Sequence, residues 1–210
     1  MQLVVIAKEP LPGDVKTRLC PPCTPQEAAA LAEAALRDTL AAMAGAADAA
    51  GRAVARAIVL DGAPGTWVDG ERVVAQRGAG LDERLAAAFE DLGGGPALIV
   101  GMDTPQLTGA LLARALLALD DHDAVLGPAT DGGYWGIGLR RADPGALVGV
   151  PMSVGHTLAA QRDRLGHLGL DVAEAATLVD VDTIEDAGRV AVQAPDTAFA
   201  RAFARLAIAA

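Results

Sequence analysis

Three cations, two prolines and a glycine crowd into Lys8-Glu9-Pro10-Leu11-Pro12-Gly13-Asp14-Val15-Lys16-Thr17-Arg18, directly after the apolar run Leu3-Val4-Val5-Ile6-Ala7. A short β-branched run reads as a buried strand, so this loop leaves a strand end. Backbone N–H groups freed by a turn, with Lys as a point charge and Arg as a planar fork, suit a phosphate or pyrophosphate. The segment is neither a Walker A sequence nor a GxGxxG fingerprint, and a solvated, Pro-rich loop is the alternative reading.

Carboxylates recur at comparable places. Asp103 follows Ala97-Leu98-Ile99-Val100-Gly101 with Met102 between, and Thr104-Pro105 then turns the chain. Asp131 lies in the glycine-rich bend after Ala124-Val125-Leu126, while Asp180 and Asp182 alternate in Val179-Asp180-Val181-Asp182-Thr183. In a short strand that last pair points to opposite sides, so only one of them faces a given pocket. Oxygen ligands converging from strand ends fit Mg²⁺ or Mn²⁺, which bind phosphates through one or two protein carboxylates. Each position also has a plain role open to it: an Asx turn at Asp103, turn chemistry at Asp131, a helix cap at Asp182. Taken with the cationic loop, the carboxylates favour a nucleotide-and-metal site.

Two further groups bear on ligands. Gly132-Gly133-Tyr134-Trp135-Gly136 combines glycines that permit close backbone approach with an aromatic pair able to wall a sugar or other small acceptor. Its alternative is a bulged strand with Tyr134 or Trp135 in the core. Arg84, in Asp82-Glu83-Arg84 at a helix start, reaches a ligand or sits on a solvated face.

Elements able to position these groups follow from periodicity. Thr24 caps and Pro25 opens a helix that runs to about Ala47. Strands are expected at about Val54 to Leu60, Arg72 to Ala75, Ala97 to Gly101, Ala124 to Leu126, Tyr134 to Leu139 and Asp171 to Glu174. Helices are expected at Leu81 to Leu92, from Thr108 to about Leu119, and at Thr157 to Leu168, Ile184 to Val192 and Thr197 to Ala207. Strands alternating with long helices imply crossovers and a mostly parallel, three-layer α/β/α sandwich. Ligands of such sheets bind beyond the carboxyl ends of the strands, where the loop and the carboxylates fall.

With 210 residues, 52% of them hydrophobic and 21% charged, the chain is expected to form one compact soluble domain over residues 1–210. A formal net charge of -10 argues against tracking nucleic acid or an anionic membrane, so a polyanionic ligand must be held locally. The opening apolar run is too short for a signal-peptide core, and the Ala-rich stretch after Ala28 is broken by charges, so a cytoplasmic location is expected. Cys20-Pro21-Pro22-Cys23 has C-x-x-C spacing, but it precedes its helix rather than opening it and no histidine has ligand spacing, so two incidental thiols are expected.

Together, the Ala7–Leu19 loop, Leu81-Asp82-Glu83-Arg84-Leu85, Gly101-Met102-Asp103-Thr104-Pro105, Gly127-Pro128-Ala129-Thr130-Asp131-Gly132-Gly133-Tyr134 and Asp180-Val181-Asp182-Thr183 appear in the order of the DUF2064 family, which the chain resembles. That family is a glycosyltransferase-like, radical-SAM or arsenosugar-associated transferase group of the nucleotide-diphospho-sugar transferase superfamily. The resemblance implies a GT-A type, Rossmann-like fold with a nucleotide above the first strand and a divalent metal, Mg²⁺ or Mn²⁺, at Asp103 and Asp182. Expected catalytic residues are Asp103, Lys16 and Asp131; nucleotide- and phosphate-binding residues are Ala7, Lys8, Gly13, Lys16, Arg18 and Arg84; acceptor-binding residues are Gly132, Gly133 and Tyr134. Glycosyl transfer from a nucleotide-diphospho-sugar to a small acceptor is the leading expectation. A guanylyltransferase-like nucleotidyltransferase releasing pyrophosphate, and a non-catalytic nucleotide-binding protein, are the alternatives.

Overall fold

Leu3, Val5 and Ala7 point to one side of the first strand and Val4 and Ile6 to the other, and both sets are covered by apolar residues from separate helices. A strand buried on both faces must lie in the middle layer of three. In the computed structural model, which describes residues 1–206, that strand is β1 (Gln2–Lys8), followed by β2 (Ala55–Asp61), β3 (Arg72–Ala75), β4 (Ala97–Val100), β5 (Ala124–Pro128), β6 (Tyr134–Leu139) and β7 (Val172–Glu174). The helices are α1 (Pro25–Ala50), α2 (Leu81–Asp91), α3 (Gly109–Ala118), α4 (Thr157–His167), α5 (Ile184–Gln193) and α6 (Ala198–Phe203). The seven strands form one sheet in the order β3-β2-β1-β4-β6-β5-β7. On one face Leu36, Leu40 and Met43 of α1 and Leu112 and Leu116 of α3 complete the core; on the other, Leu85 and Phe89 of α2 and Leu158 and Leu165 of α4 do so.

All pairings are parallel except those of β6, which runs antiparallel to both β4 and β5. Its reversal has a simple cause: the bend at 129–133 joins β5 to β6 directly, and a parallel partner would need a crossover of a dozen residues or more. β1 sends its chain to β2 on one side and is flanked by β4 on the other, so the sheet changes direction at β1/β4. The crevice beyond the carboxyl ends of those two strands is where such sheets hold ligands.

Local signals set the helix ends. Thr24 accepts from Glu27 N at 3.2 Å while Glu27 reaches back to Thr24 N at 2.8 Å, a capping box, with Pro25 in the first turn. The helix continues to Ala50, past the expected Ala47, and packs closely on α3, where Gly109 lacks a side chain: a Cβ there would lie 2.7 Å from the Gly45 carbonyl carbon. Asp38, half-buried on α1, accepts from Ala198 N and Phe199 N at 2.7 and 2.8 Å and so holds the start of α6. The last expected helix is shorter than read, ending at Phe203 with Thr197 as its cap, and Ala207 lies outside the described residues.

One expectation is corrected. Residues 179–182 form no strand; the segment crosses the sheet end as extended loop, with Val181 N donating to Asp103 O at 3.0 Å. The alternation rule for Asp180 and Asp182 therefore does not apply, and both line the same cavity.

Candidate active site at the β1/β4 crevice

Lys16 organises the carboxyl end of the sheet. It adopts a left-handed backbone, φ 49 and ψ 35, at the head of a single 3₁₀ turn, Thr17–Leu19. A non-glycine residue there is held against a backbone cost on the order of 1–3 kcal/mol. The restraint is visible: the side chain is only 9% exposed, and its Nζ lies 2.6 Å from Asp103 Oδ1 and 3.7 Å from Asp182 Oδ1 and donates to Val181 O. Arg18, well exposed, donates to Asp182 Oδ2 at 3.0 Å. The first, middle and late segments read from sequence thus converge on one ammonium.

Two connected cavities open here. A smaller one of about 280 Å³ is lined by the loop from Asp14 to Arg18 with Lys8, Met102, Asp103 and Asp182; a larger one of about 700 Å³ shares Lys8, Arg18, Met102, Asp103 and Asp182 and extends to Arg84, Asp131, Gly133, Tyr134 and the 152–157 segment. Ala7 lines the larger cavity as well. Gly13, at φ 89, lies in the loop but lines neither cavity.

Of the plain roles open to the carboxylates, one is realised. Asp131 Oδ1 accepts from Gly133 N at 2.8 Å, an Asx turn, while the residue also faces the cavity. Asp103 instead directs its side chain to Lys16. Asp182 does not cap α5, because Thr183 and Asp186 form the capping box there. Asp180 is the residue that alternation in sequence passed over. Its Oδ1 is buried without a hydrogen-bond partner, and burial, reinforced by Asp103, Asp131 and Asp182 and opposed by Lys16, pushes its carboxyl up to about 7.

Asp103, Asp131, Asp180 and Asp182 outnumber the adjacent Lys16 and Arg18, and an orphaned carboxylate oxygen among them is a vacant ligand for a cation. Among the described residues no three acidic, His or Cys side chains close into a complete metal cage. An open site of one or two carboxylates is what a hard cation shared with phosphates requires, so the donor set suits Mg²⁺ or Mn²⁺.

The Asp180 shift has a thermodynamic sign. The folded carboxyl titrates at about 7 and an unfolded one near ~3.9, so between those values only the folded state holds the proton. Metal-free protein is expected to lose stability as pH rises through that window, by on the order of 4 kcal/mol at most. Urea unfolding in a chelator across that range should show the slope, and Asp180→Asn should flatten it.

Other expected residues find specific partners. Arg84 NH1 donates to Asp61 Oδ2 at 2.8 Å and Gln76 Oε1 at 3.0 Å, and Gln76 Nε2 donates to Ala7 O at 2.6 Å and Val59 O at 3.2 Å. Gln76 and Asp61 were missed, although each stands at a strand end and the rule that selected Asp103 would have found them. Trp135 is a core residue, 2% exposed, with Nε1 donating to Ala176 O at 2.9 Å and its ring where a Gly127 side chain would stand. Tyr134 and Trp135 both line the large cavity; the Tyr134 hydroxyl lies 3.3 Å from Gln161 Oε1, and burial pushes it above its usual pKa. Gly133 lines the cavity, whereas Gly132 lies against the backbone of Gly155, 2.0 Å from its oxygen if a Cβ is added, with φ 88. Gly132→Ala should therefore lower the melting temperature by several degrees, a loss of about 1–3 kcal/mol that thermal unfolding can measure. Cys20 and Cys23 are free thiols, and burial raises the Cys23 pKa, the opposite of an activated thiolate.

Among the described residues no helix is long and apolar enough to cross a membrane. A profile of the family described as "Uncharacterized protein conserved in bacteria (DUF2064)" matches residues 27–154. No curated protein matches the chain. A solved structure from Desulfovibrio desulfuricans G20, a candidate nucleotide-diphospho-sugar transferase, is 26% identical and superposes with a TM-score of 0.83, covering 97% of this chain and 92% of its own. A nucleotidyl transferase from a Methanothermobacter species is 16% identical with a TM-score of 0.57, covering 96% and 98%. Glucosyl-3-phosphoglycerate synthase of Mycobacterium tuberculosis, solved with Mn²⁺, UDP and phosphoglyceric acid, is 13% identical with a TM-score of 0.54, covering 96% and 78%. The fold is thus that of the GT-A type transferases, with a mostly parallel sheet between helical layers.

Proposed function

This chain belongs to the DUF2064 family, and on that footing we propose that it is a metal-dependent transferase acting on an activated nucleotide, transferring the glycosyl group of a nucleotide-diphospho-sugar to a small hydroxyl acceptor. The observation that carries the reading is Lys16, buried at the β1/β4 switch point between Asp103 and Asp182 with Arg18 beside it. Cations and carboxylates so interleaved match a ligand of phosphates with a divalent ion.

Asp103 and Asp182 would hold Mg²⁺ or Mn²⁺, which when bound neutralises charge on the leaving diphosphate. Lys16 and Arg18 bind the phosphates and stabilise the negative charge that grows as the bond from the anomeric carbon to the diphosphate oxygen breaks. The acceptor oxygen bonds to that carbon and its proton passes to Asp131, whose second carboxylate oxygen is not used by the turn. Ala7, Gln76 and Arg84, linked by hydrogen bonds at the ends of β1 and β3, line the same cavity and position the nucleoside.

Product analysis tests the reaction class. Nucleotide-sugars and nucleoside triphosphates are incubated with candidate acceptors and Mg²⁺ or Mn²⁺; the expected product is free nucleoside diphosphate. Pyrophosphate release would replace the proposal by nucleotidyl transfer. Calorimetry that detects no metal-dependent binding of any nucleotide would remove it.

A further inference from the structure

Beyond the phosphate-facing loop the large cavity changes character. Asp82 accepts from Gly149 N at 2.8 Å, which ties the start of α2 to the chain after β6, and the Tyr134 hydroxyl lies 3.6 Å from Met152 Sδ. Leu81, Leu85, Tyr134, Met152 and Val154 consequently line one region of the same cavity, and Leu81 and Val154 are each 41% exposed. A single exposed apolar side chain needs no explanation, but several gathered inside a concave site mark ligand contact.

Charge in this region is one-sided. Of the cations lining the cavity, Lys8 and Arg18 belong to the loop after β1, and Arg84 is held by Asp61 and Gln76. The 152–157 wall supplies no charged side chain among its lining residues. The charge of Asp82 reaches the Tyr134 hydroxyl, and Asp131, in the turn before β6, lines the same cavity. An anion entering here would meet the Asp131 carboxylate on the lining, with Asp82 behind it and no uncommitted cation on this wall, a cost of like-charge approach in a partly desolvated site.

We propose that this wall is the acceptor subsite and that it selects an uncharged, hydroxyl-bearing molecule with an apolar face, discriminating against phosphorylated acceptors. The proposal rests on the transferase reading and sharpens it, since nucleotidyl transfer to a phosphate would require the cation this wall lacks.

Phenyl β-glucoside and its 6-phosphate make a matched pair of probes, titrated into the full chain both without nucleotide and with Mn²⁺ and a panel of nucleoside diphosphates. The neutral glucoside is expected to bind at least ~10-fold more tightly than the phosphate. Leu81→Lys and Val154→Lys, both at exposed positions, are expected to narrow or reverse that ratio. Equal or tighter binding of the phosphate, binding of neither probe, or a ratio unmoved by both lysines overturns the proposal. Nucleoside diphosphate binding is read in the same titrations, so failure of the nucleotide reading is separately visible: nucleotide bound without preference for the glucoside removes only the acceptor assignment.

Discussion

Asp103→Asn is expected to reduce metal-dependent nucleotide binding or turnover by at least ~10²-fold, the scale of losing one key electrostatic contributor at a reacting centre. Asn keeps the size of the side chain and an oxygen that can accept from Lys16 Nζ, which also retains Val181 O and the nearby Asp182. It removes the negative charge that a hard cation needs. The substitution also relieves repulsion on Asp180, so the melting temperature should move by no more than a few degrees. Calorimetry with Mn²⁺ and a nucleotide-sugar, together with thermal unfolding, reads both effects. A variant that remains active and metal-responsive would leave Asp103 as a loop residue and remove the centre of the proposed site.

Lys16→Met is expected to affect function and stability together. The apolar stem fits the nearly enclosed path of the native side chain, but Asp103, Asp180 and Asp182 lose the cation that offsets their mutual repulsion. Removing one partner of a fully buried pair costs about 3–5 kcal/mol; because Asp103 and Asp182 are about two-fifths exposed, roughly 1–3 kcal/mol is expected, or a melting temperature lower by about 2–10 °C. Turnover should fall at least ~10²-fold through loss of charge stabilisation on the diphosphate. Added Mn²⁺ should raise the melting temperature of the variant more than that of the native protein, since a cation bound only by the folded state stabilises it by mass action. Equal shifts in the two proteins would show that the ammonium and the metal do not share these carboxylates.

How far the sequence reaches is clear at particular residues. The β1 run, Thr24 before Pro25, and Thr108 before its helix are local signals, and each element lies within a few residues of where its pattern placed it. Antiparallel β6 was implicit in a bend too short for a crossover, yet it does not emerge from helix and strand alternation alone. Asp103 was legible because a carboxylate just past a buried strand has one place to go. Asp180 was misread because period-two alternation holds only in a regular strand, and 179–182 is an extended loop fixed by Val181 on Asp103. The packing of Gly132 was hidden for a related reason: the residue that its missing side chain accommodates, Gly155, is distant in sequence.

The sequence by itself therefore determined the elements, the layering and the presence of cations and carboxylates at the strand ends, because hydrophobic period, capping and charge type are properties of neighbouring residues. Only the tertiary structure decided that Lys16 stands between Asp103 and Asp182, that Asp180 Oδ1 is buried without a partner, and that the Trp135 side chain is buried in the core. Those are distances and burials among segments from opposite ends of the chain. They arise when seven strands are ordered into one sheet, and the order is set by packing both faces at once rather than by any local pattern.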